Sequence, residues 1–449
     1  MAPAAARTEH PFDPCFEKLA INNRKAVVVA VSGGSDSFAL LDLFVDFARR
    51  RHPALKVHAV TVDHGLRSEA AEEARHVGEL AARLGVPHAI RKWEGAKPHG
   101  GIIDAAREAR HGLLAEAARE AGTDLVLTGH TLDDQAETVA MRGKRGAGRG
   151  SAGMAEATLH EWRTWFARPL LTVRRSALRA VLEGRGIHWV DDPTNQDMRY
   201  ERARVRAAMT DGEVTRLAAQ ANSAAGERED LGYRAAALID SYAAMPASGL
   251  IRVDPGFTSK GDSDAALYAF RILLATAGGT EHLPDAVRSE ELLNRLAGGP
   301  FKATLSRAVL DCRQSGIFLY REKRNLPPRS SFAAGVWDGR FWLGGKGIGE
   351  YAIGAPDPAI INADIAAAHA DAPASVRRAA CAGLPALWAG EVCIGLAENI
   401  FGIRCEPVVG PWVRFLPAFD HAPACAMARL VGAQEPSPAP LAGHKVRRA

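Results

Sequence analysis

The chain has 449 residues, 47% of them apolar and 24% charged, with a formal net charge of +4, a composition that fits a globular protein of two or three domains. No run approaches the roughly 20 apolar residues a membrane helix needs, and the first residues lack the apolar core of a secretory signal, so a cytoplasmic protein without a membrane partner is expected. Six scattered cysteines without a Cys-x-x-Cys pair argue against a zinc ribbon, an iron–sulfur site or a disulfide framework.

Apolar runs alternate with helical patterns through the N-terminal part of the chain. Lys25–Val31 reads as a buried strand, followed by a Ser/Gly loop and a helix to about Arg50. Lys56–Val62 is a second strand and Ser68–Leu84 a helix. His88–Lys92, the alanine-rich helix Ile102–Ala121 and the strand Asp124–Thr128 follow, and a further helix begins near Asp133. Such alternation predicts a doubly wound α/β parallel sheet with helices on both faces, whose ligands bind beyond the carboxyl ends of the strands. This domain is expected over 1–211. Helical patterns from Glu213 to Met245, Ser263–Ala277 and Pro284–Ala297 predict a mainly helical domain over 212–324. After the Pro-containing break Asn325–Ser331, short strands predict a small β-rich C-terminal domain over 325–433. The Pro-rich, basic end 434–449 is expected to be disordered. Ten Lys or Arg stand against three Glu between Arg142 and Arg185, a basic segment suited either to a polyanionic partner or to a solvated surface.

The strongest single feature is Ser32-Gly33-Gly34-Ser35-Asp36-Ser37, placed directly after a strand and before a helix. The two glycines let the backbone approach a ligand, the helix start directs N–H groups at it, and the three serines add hydroxyls. Asp36 beside an anion would repel it unless a bridging Mg²⁺ takes both carboxylate and phosphate oxygens. No Walker loop is present. Asp63-His64-Gly65-Leu66-Arg67 follows the second strand, either as a polar turn or as a site where Asp63 meets adenosine and Arg67 meets phosphate. The string Gly129-His130-Thr131-Leu132-Asp133-Asp134-Gln135-Ala136-Glu137-Thr138 opens the helix after the fourth strand. Capping accounts for one of its carboxylates; another can join Asp36 around a metal, and others can orient His130.

The Ser32–Ser37 loop resembles the pyrophosphate-binding loop of the ATP pyrophosphatase (PP-loop) superfamily. Within it, the Gly129–Thr138 string resembles the signature of the tRNA(Ile)-lysidine synthetases. Asp63–Arg67, the helix Ala106–Arg110, Arg168-Pro169-Leu170, Asp192-Pro193-Thr194-Asn195 and the basic run Arg199–Arg206 match in order, and the resemblance is detailed through roughly the first 210 residues. Two positions depart from the family pattern: His111 replaces a usual Tyr, and Ala203 a usual Asn.

The resemblance implies an enzyme that uses ATP, Mg²⁺ and free L-lysine to convert the wobble cytidine of tRNA(Ile) with a CAU anticodon into lysidine, by adenylating the C2 oxygen and then displacing AMP. It implies that Ser32, Gly33, Gly34, Ser35, Asp36, Ser37 and Asp63 bind ATP, and that Asp36 and Asp134 hold Mg²⁺. His130 and Arg110 are expected to stabilise the adenylate, with Asp133 or Glu137 taking a proton from lysine. Arg67, Arg107, Asp133, Glu137, Arg142, Lys144, Arg145, Arg202 and Arg206 are the expected contacts to substrate or tRNA. Trp162, Trp165 and Phe166 either stack on unpaired bases or pack in the core. A homodimer is compatible with this reading. The alternatives are another PP-loop enzyme, such as a tRNA thiolation enzyme or a small-molecule amide ligase.

Overall fold

The computed structural model describes residues 10–65, 70–95, 97–98, 100–144, 149–190, 197–258, 261–346, 349–367 and 371–442. Arg67, Arg145 and the Asp192–Asn195 string lie outside them. The chain divides into two compact units, one of residues 1–228 with 417–419 and 437–447, the other of residues 229–416 with 420–436.

In the first unit, strands β1 (Ala26–Ala30), β2 (Lys56–Asp63), β3 (His88–Lys92), β4 (Leu125–Thr128), β5 (Ala157–His160) and β6 (Thr164–Ala167) lie in the order β5-β6-β4-β1-β2-β3. All neighbouring pairs are parallel except β5–β6. Every residue of β1 and β4 is buried, as expected of strands covered on both faces, which select continuous Val/Leu runs rather than alternation. Helices α1 (Asp13–Glu17), α2 (Ser35–Arg51), α3 (Ala70–Arg83), α4 (Ile102–Glu120), α5 (Leu132–Gly143), α6 (Arg175–Gly184) and α7 (Glu201–Ala208) complete this part of the unit. One core cluster joins Val28, Ala30, Val60 and Val126 to Leu114 and Ala118 of α4 and to Phe166. Strand order reverses between β1 and β4, so the loops after these two strands flank the crevice where doubly wound folds bind ligands.

The hairpin β5–β6 falls inside the basic segment that the sequence left without strands. Its turn carries no Asn-Gly or Asp-Gly signal: Glu161 and Trp162 themselves adopt φ of 47° and 59°, a conformation such residues seldom take. The hairpin also decides between the two readings of the aromatics in it. Trp165 and Phe166 are 0% and 1% exposed and belong to the core, so neither is available to stack on a base; Trp162 is half-buried. Residues 434–442, expected to be disordered, are instead ordered. Trp165 Nε1 donates to Ser437 Oγ at 2.9 Å, and Leu19 bridges to Leu441; these partners supply the order that Pro-rich composition alone does not. Residues 443–449 lie outside the described part.

The boundary between the units falls within α8 (Asp211–Tyr242), one unbroken helix, rather than at 211/212, because its Ala/Arg/Glu-rich sequence contains no proline to break it. It stops at Tyr242, short of the expected Met245, where the chain turns into strands β7 (Ala243–Ala247) and β8 (Leu250–Val253). The region expected to be mainly helical therefore holds a five-stranded antiparallel sheet, β7-β8-β11-β10-β9, completed by β9 (Phe301–Leu305), β10 (Ala308–Arg313) and β11 (Gly316–Arg321), beside α9 (Ser263–Gly278) and α10 (Ala286–Arg295). Beyond Leu326, a four-stranded and a three-stranded sheet with short helices enclose Trp337, Phe341, Leu343, Ile353 and Leu387. Buried Asp338 accepts bonds from Arg307, Arg321 and Arg340, the paired arrangement that a buried carboxylate requires.

Candidate active site

The loop between β1 and α2 is shaped by its own serines. Ser37 Oγ accepts the Ser32 N–H at 3.1 Å and donates to the Gly34 carbonyl at 2.9 Å, so this hydroxyl braces the turn. Gly33 sits at φ 90°, and Gly34 forms the extended N-cap of α2. The first-turn N–H groups of α2 have no carbonyl behind them and face the loop with the helix's positive end, an arrangement made for phosphate.

From the other side of the crevice comes the Gly129–Thr138 string. A Cβ on Gly129 would lie 2.8 Å from the Asp36 carbonyl oxygen and 2.9 Å from the Ser37 nitrogen, so only glycine allows the two loops to meet. Thr131 caps α5 in a reciprocal box. Its N–H and hydroxyl donate to Asp134 Oδ2 at 2.8 and 2.9 Å, and its Oγ1 accepts from the Asp134 N–H. Asp134 thereby caps the helix with one oxygen and turns the other toward Asp36's side of the cavity.

The two carboxylates share a cation supplied by α6. Arg175 Nε donates to Asp36 Oδ2 and its Nη2 to Asp134 Oδ1, both at 2.8 Å. Arg202 Nη2 also reaches Asp134 Oδ1 at 2.8 Å, while Arg202 Nε and Arg206 Nε each bind Glu137 at 2.7 Å. Burial drives Asp134 toward its neutral form, but the Arg175 and Arg202 charges prevail and hold its pKa down at about 2. For Asp36 burial prevails over Arg175, and its pKa is raised.

Around this pair lies a cavity of about 490 Å³ lined by Ser32, Ser35, Asp36, Arg110, His130 and Asp134, together with Arg175, Arg179, Arg202 and Arg206. His130 Nδ1 lies 3.0 Å from Thr128 Oγ1, and burial, with the Arg168 charge next, keeps the ring neutral by pushing its pKa well below 6.5. Arg110 faces the cavity with no carboxylate partner among the described residues; burial, then Arg107, lowers its pKa. A neutral imidazole and such a guanidinium beside a phosphate loop can bind an oxyanion that develops on a substrate.

A family described as PP-loop domain matches residues 5–213. A tRNA(Ile)-lysidine synthase from Mesorhizobium japonicum is 48% identical over 93% of this chain and 94% of its own length. The chain belongs to the tRNA(Ile)-lysidine synthase family. Further relatives named tRNA(Ile)-lysidine synthase, from Rhizobium meliloti and Brucella anthropi, are 38% and 39% identical over 93% and 76% of this chain, and 93% and 78% of their own lengths. As a PP-loop member of this family, the protein uses ATP.

The structure redistributes several expected roles. Arg202 and Arg206 pair with the carboxylates of α5, because Glu137, 2% exposed, needs paired charges, and both also line the cavity. Asp133 accepts the Arg175 N–H at 2.8 Å and lies 3.3 Å from Arg174 Nη2. Neither Asp133 nor Glu137 is among the residues lining the cavity. Asp63 Oδ1 caps its own turn by accepting the Gly65 N–H at 2.8 Å, and it too is away from the cavity lining. Arg142, Arg107 and Lys144 are all exposed, and Arg142 Nη1 donates to the Gly153 carbonyl at 2.7 Å. Arg168 is buried and donates to the Ala155 carbonyl at 2.9 Å and to Thr158 Oγ1 at 3.0 Å. Arg175 and Arg179 are cavity residues that the sequence reading did not single out. Arg175 follows Arg174 at a helix start, and only the fold brings that start to Asp36.

The family departure at His111 has a measurable consequence. Its Nδ1 is 2.7 Å from the Arg107 carbonyl and its ring meets Phe166 edge-on. Burial, aided by the Arg107 and Arg110 charges against that carbonyl, pushes its pKa down to about 4 from the ordinary 6.5. A histidine held neutral in the folded state contributes stability that is complete above its unfolded pKa and is lost as pH falls through its folded one, here on the order of 3 kcal/mol. His111→Tyr is therefore expected to flatten the decline of thermal stability between pH 6.5 and 4. A decline as steep as the parent's would show that another group controls it.

Proposed function

We propose that this protein ligates free L-lysine to C2 of the wobble cytidine of tRNA(Ile) bearing a CAU anticodon, with release of AMP and pyrophosphate. The observation that carries this reading is one cavity that brings together the phosphate loop, two carboxylates and, beside neutral His130, Arg110 without a carboxylate partner among the described residues, in a chain of the lysidine synthase family. The cytidine C2 carbonyl is urea-like, a poor electrophile with a poor leaving oxygen. Adenylation turns that oxygen into a leaving group, and the lysine ε-amine then attacks C2 and expels AMP.

The residues present fit Mg²⁺. Two carboxylates with phosphate oxygens and water are the donors this cation takes, and the Arg175 guanidinium, 2.8 Å from each, marks the space between Asp36 and Asp134 as a place for positive charge. Bound there, Mg²⁺ would neutralise charge that develops on the departing pyrophosphate. The α2 N-terminus and its glycines hold the β- and γ-phosphates, with Ser35 and Arg179 at their side. Arg110 and His130 steady the oxygens of the adenylate, and His130 does so as a neutral hydrogen-bonding group. Exposed Arg107 and Lys144, with Arg67 and Arg145, offer positive charge to tRNA phosphates. A cytoplasmic location and a homodimer are part of the proposal.

The direct assay mixes the protein with ATP, Mg²⁺, labelled lysine and unmodified tRNA(Ile). Lysine should enter the tRNA with one AMP formed per lysine. A tRNA that other lysidine-forming enzymes modify but that takes up no label here would sink the reading.

A further inference from the structure

Arg175 does more in the fold than neutralise a neighbour. Its backbone N–H is fixed to Asp133 Oδ2 at 2.8 Å, while its guanidinium bonds Asp36 and Asp134 at 2.8 Å each and lies 3.5 Å from Glu137. Three acidic groups from two helices, α2 and α5, thus converge on one side chain. We propose that Arg175 is a resident counter-ion, occupying the space between Asp36 and Asp134 until nucleotide binds, and that it then turns to the ATP phosphates and yields this space to the divalent cation. The proposal rests on the reading of Asp36 and Asp134 as the metal carboxylates.

Two physical points support it. Two carboxylates facing one cavity repel each other, and the guanidinium 2.8 Å from each is the positive charge that offsets this repulsion in the nucleotide-free protein. A metal arriving alone would have to expel the guanidinium toward Glu137, which already accepts from Arg202 and Arg206. Triphosphate oxygens supply that acceptor, and charge-assisted bonds to them replace those being broken. Arg179, one turn along α6, already reaches the phosphate loop through Ser35 Oγ at 3.3 Å, so the same helix face leads from the carboxylates to the loop.

The test uses Mn²⁺ alone as probe, measured by water-proton relaxation on the full chain, and a non-hydrolysable ATP analogue in the presence of chelator. Arg175→Gln is expected to bind Mn²⁺ roughly tenfold more tightly than the parent without nucleotide, and the metal-free analogue roughly tenfold more weakly. Arg175→Lys, which keeps the charge, should bind Mn²⁺ as weakly as the parent. In the Arg175→Gln/Asp134→Asn double variant the gain should disappear. Unchanged Mn²⁺ and analogue affinities in Arg175→Gln, with a melting temperature showing it folded, would overturn the counter-ion role and leave the carboxylate reading standing. A gain that persists in the double variant would place the metal elsewhere, and both would fall.

Discussion

Asp36→Asn and Asp134→Asn are both expected to lower lysine incorporation by at least ~10³-fold, but to move thermal stability in opposite directions. Each substitution removes one of two charges proposed to hold the metal, and neither amide can replace a carboxylate toward a hard cation. Their folding energetics differ because their surroundings do. Burial has raised the Asp36 pKa despite Arg175, so its ionised form is held at a cost to folding, and a neutral amide of the same shape relieves it. Asp134 is held at about 2 by Arg175 and Arg202, a shift from 3.8 worth on the order of 2 kcal/mol by linkage. That contribution is complete above the ordinary carboxylate value and fades as pH falls toward 2. Asp134→Asn also leaves two guanidinia short of a partner and weakens the box with Thr131, so its melting temperature should drop while that of Asp36→Asn holds or rises. Binding of tRNA, measured separately, should survive in Asp36→Asn. If tRNA binding and turnover fell together, Asp36 would be acting on the structure rather than on the chemistry.

The contrast between these two aspartates also shows what can and cannot be read in a linear sequence. Val27, Val28 and Val29 announce a buried parallel strand by composition, and the loop that follows announces a phosphate site by its glycines and its place before a helix. The Gly129–Thr138 string identifies the second loop in the same local way. What joins the two is not local. Arg175 is 139 positions from Asp36 and Arg202 is 68 from Asp134, and nothing around either distinguishes it from the other arginines of a basic segment. The resemblance gives Arg202 and Arg206 as contacts to substrate or tRNA, but a linear sequence does not show the buried carboxylates of α5 that pair with them. The β5–β6 hairpin escaped notice for a different reason, as Glu161 and Trp162 occupy turn positions that ordinarily signal themselves with Gly or Asn. In the C-terminal tail, prolines suggested disorder, while the bridge to Leu19 and the bond to Trp165 come from distant segments. Local chemistry was legible; partners contributed by the fold were not.

Gly129→Ala should be strongly damaging to the site. The added carbon would stand 2.8 Å from the Asp36 carbonyl oxygen, 2.9 Å from its carbon and 2.9 Å from the Ser37 nitrogen. All three are backbone atoms, so no rotamer change relieves the overlap and one of the two loops must retreat. Overpacking of this kind costs about 1–3 kcal/mol, and the global fold should survive it. The displaced part, however, is the peptide that carries Asp36 and the first turn of α2. A shift of even ~1 Å in such a positioning element costs about 10²-fold in rate. Gly129→Ala is thus expected to keep most of its thermal stability, lose affinity for ATP and lose roughly two orders of magnitude in lysine incorporation. Gly122, at a turn where an added Cβ meets nothing within 4 Å, supplies the control: Gly122→Ala bears the strain of its φ of 69° but touches no part of the site. It should cost stability and leave ATP affinity unchanged. If Gly129→Ala bound ATP as tightly as the parent, the close approach of the two loops would be a matter of packing, and the site would not depend on their separation.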